Sequence, residues 1–453
     1  MKIYRLILII LFTFSSVSLQ SSYAQSEIET EKLNRFFTAL HENDRFMGSV
    51  AVMNGDEVVF NEAYGMISED RMPATPKSIY RIGSITKSYT ATMILQLADH
   101  GELTLGTKLG TYFPDMPNAD QITIEQMLRH QSGLVNFTNL PVYMEYFTEN
   151  KSRGDMLELF ASVGTTFEPG QNTEYSNTAY VLLGYIIEEV TGMSYADALR
   201  EMITEPFGLS STYFASGIDS EKNEADSFVY QQGDWQPASR TNMFIPHGAG
   251  AIVSTAEEVA RFYHALFNGE LLSSESLDQM RSFQGPFGLG LLRFPFNEKT
   301  LVGHNGGIDG YQSNAAHYPE ENLTFSIMGN GLNYAFNDIL IGFLSISFGN
   351  DYDIPTFEER PSISLAEDKL SNYAGTYQSP QFPLAIELFV DSGNLMARAT
   401  GQGAFPLTIY NEQTMAFEQA GIEIVFEQSE GDQYTRFVFT QAGQSFRFSR
   451  SEQ

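Results

Sequence analysis

The stretch Ile82-Gly83-Ser84-Ile85-Thr86-Lys87-Ser88-Tyr89-Thr90 runs on into the apolar segment Ala91 to Ala98 and stops at Gly101; no other part of the chain constrains the fold as much. The spacing predicts a helix with Ser84 and Lys87 on one face, one turn apart, so that the Lys amine meets the Ser hydroxyl. A Ser hydroxyl attacks well only when a base takes its proton, and a Lys is that base only where dry surroundings lower its pKa. The apolar run provides the dryness. The helix N-terminus also aims backbone N–H groups, Ser84's own among them, at any developing oxyanion. Ser84 to Lys87 is the only Ser-x-x-Lys in the sequence. Alone, it is equally the polar first turn of a buried helix, so partners elsewhere must decide.

With 453 residues there is room for two domains and a large core. A formal charge of -30 argues against nucleic acid and anionic membranes as partners. Lys2 and Arg5, the apolar stretch Leu6 to Phe14 and Ser22-Tyr23-Ala24 describe a secretory signal peptide over residues 1–24, with cleavage after Ala24. No later stretch has the 18 or so unbroken apolar residues of a membrane span. There is no Cys, which removes thiol nucleophiles and thiolate metal sites. The seven His form no His-Glu-x-x-His, so neither a metal nor an organic cofactor is expected. Nothing in the sequence signals an oligomeric state.

Along the chain, residues 27–44 predict an amphipathic helix, and Phe46–Met53 and Val58–Tyr64 a hairpin around Asn54-Gly55-Asp56. Thr123 is the expected N-cap, with Gln126, of a short helix ended by Gly133. Helical spacing returns over Tyr143–Phe160 and Ser176–Leu199, with the loop Phe167 to Asn177 delivering Tyr175 and Asn177 at a helix start. Strands are expected over Thr300–His304, Tyr311–Tyr318 and Leu323–Met328, then a helix over Ile339–Phe348. Strands at both ends with helices between imply an α+β fold: one antiparallel sheet from the two ends, flanked by helices, with a helical subdomain inserted. Residues 351–365 read as a linker. Beyond it, period-two alternation through Leu384–Val390, Leu395–Ala399, Ile422–Phe426 and Phe437–Phe448 predicts a small antiparallel barrel or sandwich.

Three pieces carry the chemistry: Ser84-x-x-Lys87, Tyr175-Ser176-Asn177 and His304-Asn305-Gly306-Gly307. Leu128-Arg129-His130-Gln131-Ser132-Gly133-Leu134, Phe167-Glu168-Pro169-Gly170, Gly248 to Thr255 and Phe287-Gly288-Leu289-Gly290 accompany them. In order and separation these motifs resemble the class C β-lactamases and the related serine D,D-carboxypeptidases, D-aminopeptidases and β-lactamase-like esterases. The resemblance covers residues 25–350 as a serine hydrolase domain. Residues 366–453 are similar to the lipocalin-like β-barrel that follows it in many such proteins.

The resemblance implies that Ser84 is the acylated nucleophile and Lys87 its proton-accepting neighbour, with Tyr175 able to take the Ser proton and pass it to the leaving group. Which of Lys87 and Tyr175 is the base stays open. It further implies that Asn177 holds the substrate or Lys87, and that the backbone N–H groups of Ser84 and Gly307 form the oxyanion hole. His304, Asn305 and Gly306 fall where class C β-lactamases have Lys-Thr-Gly. A partly charged His304 and the missing Thr hydroxyl make a weaker anchor for a substrate carboxylate. Arg81 and His130 read as structural. The expected protein is an exported, periplasmic or extracellular serine hydrolase acting on small molecules or peptides. D-amino-acid peptides or amides lead, ahead of carboxylic esters and then β-lactams. A non-catalytic penicillin- or peptide-binding protein is the alternative of another class.

Overall fold

A computed structural model describes residues 28–231, 233–357, 361–400, 403–431, 433–441 and 444–451. The expected signal segment, residues 1–24, lies outside the described residues. The first amphipathic pattern forms helix α1 (Thr30–Glu42), which buries Leu33, Phe36, Phe37 and Leu40. Strands β1 (Phe46–Asn54) and β2 (Glu57–Tyr64) follow as a hairpin. Then come the helices α2 (Thr86–Asp99), α3 (Arg153–Val163), α4 (Asn177–Thr191) and α5 (Ala256–Phe267). An antiparallel meander of β3 (Leu292–Phe296), β4 (Lys299–Ile308), β5 (Tyr311–Tyr318) and β6 (Leu323–Leu332) leads into α6 (Phe336–Ser347).

The main sheet has the order β2-β1-β6-β5-β4-β3, so the first strands of the chain pair with the last strand of the meander. A hairpin of Phe228–Gln231 and Asp234–Pro237 adds to β6. In β1 both faces are covered. Val50 and Val52 pack with α1 and α6, while Ala51 and Met53 belong to the core that contains Tyr89 and Met93 of α2. This is the expected α+β architecture.

Helix α2 is buried from Thr86 through Leu95, around its whole circumference. Its polar positions are satisfied inside the protein: Ser88 Oγ donates to the Gly290 carbonyl at 2.7 Å and Thr90 Oγ1 to the Gly248 carbonyl at 2.6 Å. Gly101 ends it with φ +76, a conformation open to glycine, and the Glu102 N–H reaches back to the Leu97 carbonyl at 3.0 Å.

The sequence pattern overran three boundaries. Helical spacing over Tyr143–Phe160 divides into a turn at Tyr143–Tyr146 and α3, because Ser152 and Asp155 form a reciprocal capping box that starts a new helix. The Ser176–Leu199 run breaks at Gly192, which is left-handed with φ +68, and Ser194 caps the next segment. The capping box of Thr123 and Gln126 is present, but its helix ends at Leu128, not at Gly133. The chain reverses at His130, with φ +59, while Gly133 serves close packing: a Cβ there would stand 2.0 Å from the Phe167 carbonyl oxygen.

Between Ser347 and Glu367 the described residues form no helix or strand. Residues 375–450 then build a nine-stranded antiparallel sheet whose two edge strands, Phe405–Pro406 and Thr408–Ile409, are separated in the chain only by Leu407. The sheet is therefore a nearly closed barrel. Ile386, Leu388, Leu395, Ala397, Ile424, Phe426, Phe437, Phe439 and Phe448 fill its interior, matching the period-two pattern. Arg45 after α1 joins the two units by donating to Glu418 at 2.6 Å.

Candidate active site

The site lies where the start of α2, the start of α4 and the end of β4 converge. Ahead of α2, Tyr80–Arg81 pairs with Ile252–Ser254, and the Ile82 carbonyl accepts from Ser313 Oγ of β5 at 2.9 Å. Gly83 then turns the chain with φ +51. A Cβ there would stand 2.9 Å from Gly307 N, so the turn that presents Ser84 needs a glycine both for its torsion and for its approach to β4.

One turn on, Lys87 is fully buried and its Nζ has three oxygen neighbours: Ser84 Oγ at 3.0 Å, Asn177 Oδ1 at 2.8 Å and the Ala249 carbonyl at 2.7 Å. Burial holds its pKa well below the ordinary lysine value. Two of the three neighbours are obligate acceptors. In the neutral amine they take both N–H bonds, and the lone pair can receive a hydrogen bond only from the Ser84 hydroxyl. The geometry thereby points that lone pair at Ser84 Oγ.

Asn177 is the first residue of α4, behind the N-cap Ser176. Its amide nitrogen donates to Thr138 Oγ1 at 3.0 Å, which turns the amide oxygen toward Lys87. Tyr175 precedes the cap; its ring centre is 4.9 Å from Lys87 Nζ, and its phenol shares a hydrogen bond with Ser84. Burial raises that phenol well above the usual tyrosine value. Tyr175 is therefore a proton donor in its resting form.

On β4, Gly306 packs against the nucleophile turn: a Cβ on it would fall 2.1 Å from the Ile82 carbonyl oxygen. Gly307 and Asn305 are exposed next to this contact, and Gly307 lines the cleft beside Ser84. His304 differs from expectation. It is 1% exposed, its Nδ1 lies 2.5 Å from the Asn305 carbonyl, and burial with the nearby Lys87 holds its pKa down to about 3. A buried, neutral imidazole offers no charge to a substrate carboxylate, so the partly charged anchor read from sequence is corrected to an uncharged one.

The cleft in front of Ser84 has a volume of about 630 Å³, with Phe137, Tyr143, Met144, Phe147, Pro246 and Ile308 among its walls. Met144 at its mouth is 67% exposed. Among the described residues the lining carries no Lys or Arg. Its one carboxylate, Asp309, is turned inward to Arg81 at 2.7 Å and also accepts from the Thr241 N–H at 2.9 Å.

Four contributors escaped the sequence reading. Ala249 acts through its backbone carbonyl, so no side chain betrays it. Thr138 sits on a segment with no motif around it, and Asp309 stands two residues beyond the His304 to Gly307 motif, outside its pattern. His130 was read as structural although its ring lies 4.4 Å from that of Tyr175.

A cleft-lining Ser beside a buried Lys at a helix start, with a tyrosine and a glycine-bearing strand closing over it on an α+β scaffold, defines a serine hydrolase of the β-lactamase and penicillin-binding kind. The comparison with known proteins agrees: the chain belongs to the family described as Beta-lactamase, which matches residues 33–341. Penicillin-binding protein 4* of Bacillus subtilis (strain 168) is 26% identical over an alignment covering 91% of this chain and 96% of that protein. The D-amino acid amidase of Ochrobactrum anthropi SV3, solved with D-phenylalanine, is 26% identical, with a TM-score of 0.61 over 70% of this chain and 98% of that one. The octameric penicillin-binding protein homologue of Pyrococcus abyssi shares the fold with a TM-score of 0.62, 23% identity, and coverage of 92% of this chain and 99% of that one. Among the described residues no helix is long and apolar enough to cross a membrane.

Proposed function

We propose that this protein is an exported hydrolase that cleaves amides or peptides of D-amino acids through an acyl-enzyme on Ser84. The observation that carries this reading is the buried Lys87, held at 3.0 Å from Ser84 Oγ by two acceptors that leave its lone pair no other target. Export rests on the pattern of residues 1–24.

The steps follow from the donors and acceptors at the site. Lys87 Nζ takes the Ser84 proton as Oγ attacks the substrate carbonyl, and the backbone N–H groups of Ser84 and Gly307 hold the oxyanion. As the C–N bond breaks, the Tyr175 phenol gives its proton to the leaving amine and regains one from the Lys87 ammonium. Water then cleaves the ester on Ser84. Lys87, lowered by burial, acts as the base, while Tyr175, raised by burial, acts as the acid.

Substrate choice is supported by the cleft. With no cation in its described lining and a neutral His304 behind it, a C-terminal carboxylate gains little there, whereas an uncharged amide with an apolar acyl side fits the walls. The same observation favours a second reading, a carboxylesterase for neutral esters.

Intact mass measurement after fluorophosphonate treatment, wild type beside Ser84→Ala, tests the nucleophile. Labelling confined to the wild type is expected, and no Ser84 adduct would overturn the hydrolase reading in favour of a binding protein. Turnover of a D-amino-acid amide, a D-Ala-D-Ala peptide, a short-chain ester and a chromogenic cephalosporin then ranks the substrates. The amide is expected first; a preference for the ester replaces the leading reading with the second.

A further inference from the structure

His130 brackets Tyr175 from both sides. Its carbonyl oxygen accepts from the Glu174 N–H at 2.9 Å and its Nδ1 from the Ser176 N–H at 3.1 Å, the residues just before and after Tyr175. Its ring lies 4.4 Å from the Tyr175 ring, and it is itself held between Tyr180 at 5.1 Å and Phe287 at 5.0 Å. Three independent contacts from one residue fix both the backbone and the ring of Tyr175.

Few side chains meet these demands. The position has φ +59, where His and Asn are tolerated better than most residues. The side chain must be flat to lie against a phenol ring and must place an acceptor one bond beyond Cγ. An imidazole does this only when neutral with its proton on Nε2. Burial and the neighbouring Lys87 keep it so, holding its pKa well below the usual value. The acceptor facing Ser176 is therefore permanent.

We infer that His130 is the positioning residue for Tyr175, setting the angle from which the phenol delivers its proton to the leaving group. This rests on the reading of Tyr175 as proton donor given above. It goes beyond that reading by making a residue of a different loop responsible for how well the protein handles poor leaving groups. Amines leave only when protonated, whereas fluoride and p-nitrophenolate leave without a proton. A misplaced Tyr175 thus penalises amides selectively.

The test compares His130→Phe, which keeps a flat ring and loses the acceptor, with His130→Asn, whose amide oxygen can take the place of Nδ1. Rates are read on an amide and a p-nitrophenyl ester of one acyl group, and on fluorophosphonate labelling of Ser84. The Phe variant is expected to lose about 10²-fold in kcat on the amide. Ester turnover and labelling should change by less than about threefold, and the Asn variant should regain most of the amide rate. In a Tyr175→Phe background, His130→Phe should cost nothing further on the amide. Equal losses on all three substrates, or a full extra loss in that background, would reduce His130 to a support of the fold. Should the Phe variant fail to fold, His130→Gln replaces it: its acceptor sits one methylene too far, and the same selective loss is expected. Absence of labelling in the wild type would instead overturn the hydrolase reading itself.

Discussion

Asn177 presents its amide oxygen to Lys87 at 2.8 Å because Thr138 accepts from the other end of the same amide. The contact is polar but uncharged, and among the described residues no carboxylate pairs with Lys87. A charge at this position changes the base directly.

Asn177→Asp is expected to raise the Lys87 pKa by about one unit or more, since an opposite charge stabilises the ammonium. The base must be neutral to act, so the rate of Ser84 acylation rises with pH through the Lys87 pKa. In the variant this limb moves to higher pH and labelling at neutrality slows. The rate of fluorophosphonate labelling against pH measures it; an unmoved limb would remove Lys87 from the role of base.

Acid lowers stability by a route that bypasses the carboxylates. His304 and His317 are held down to about 3 and about 4 by burial, against 6.5 in an exposed histidine. Between those values and 6.5 the unfolded chain binds protons that the folded protein refuses, so stability rises with pH and is lost on acidification through that window. Each group contributes up to about 1.4 kcal/mol per pH unit. His317→Phe keeps the stacking on Phe267, 4.9 Å away, and is expected to flatten the dependence of the urea midpoint between pH 6.5 and 4.

Adjacent glycines of β4 are expected to differ sharply. A Cβ on Gly306 meets the Ile82 carbonyl oxygen at 2.1 Å, whereas one on Gly307 meets nothing nearer than the Tyr311 carbonyl oxygen at 4.0 Å. Gly306→Ala should push the nucleophile turn from the strand and lower Ser84 acylation by about 10²-fold or more, as ångström-scale misplacement does. Gly307→Ala should label within about tenfold of wild type. Comparable rates for the two variants would contradict this geometry.

The Arg81–Asp309 pair ties the strand before Ser84 to the turn after β4, with the two side chains 3% and 1% exposed. Asp309→Ala leaves a buried guanidinium with one fewer partner and is expected to cost about 3–5 kcal/mol in urea unfolding. Arg81→Met combined with Asp309→Ala should cost less than the single change, because no unpaired charge remains.

The sequence showed most of the fold where periodicity and burial coincide. The α1 pattern, the β1–β2 hairpin, the meander of β4 to β6 and the alternating strands of the barrel all present one chemical face to one core. It overran where a local hydrogen bond competes with periodicity, as at Ser152 with Asp155, and at Gly192 and His130, where left-handed torsions turn the chain before the expected helix ends. The residues that the structure brings together at the candidate site, Ser84, Lys87, Tyr175, Asn177 and the glycines of β4, stood out in the sequence because each is a special residue in a motif. Ala249 was invisible because its oxygen belongs to the backbone. The charge state of His304 was misjudged because burial depends on strands β4 and β5 meeting, which spacing alone does not report.

The sheet order has a consequence for the birth of the protein. Ser84 and Gly307 stand about 220 positions apart, and β1, already paired with β2, finds its second partner only in β6. A chain emerging N-terminus first exposes its nucleophile long before the strand that would hold an oxyanion, and the edge of β1 away from β2 waits unpaired through the synthesis of the helical region. Such long-range pairing is slow, and it leaves apolar strands open to aggregation in the meantime. The same delay keeps the nascent chain inert: reactivity switches on only when the last third of the hydrolase unit has been delivered, so assembly itself acts as the safety catch.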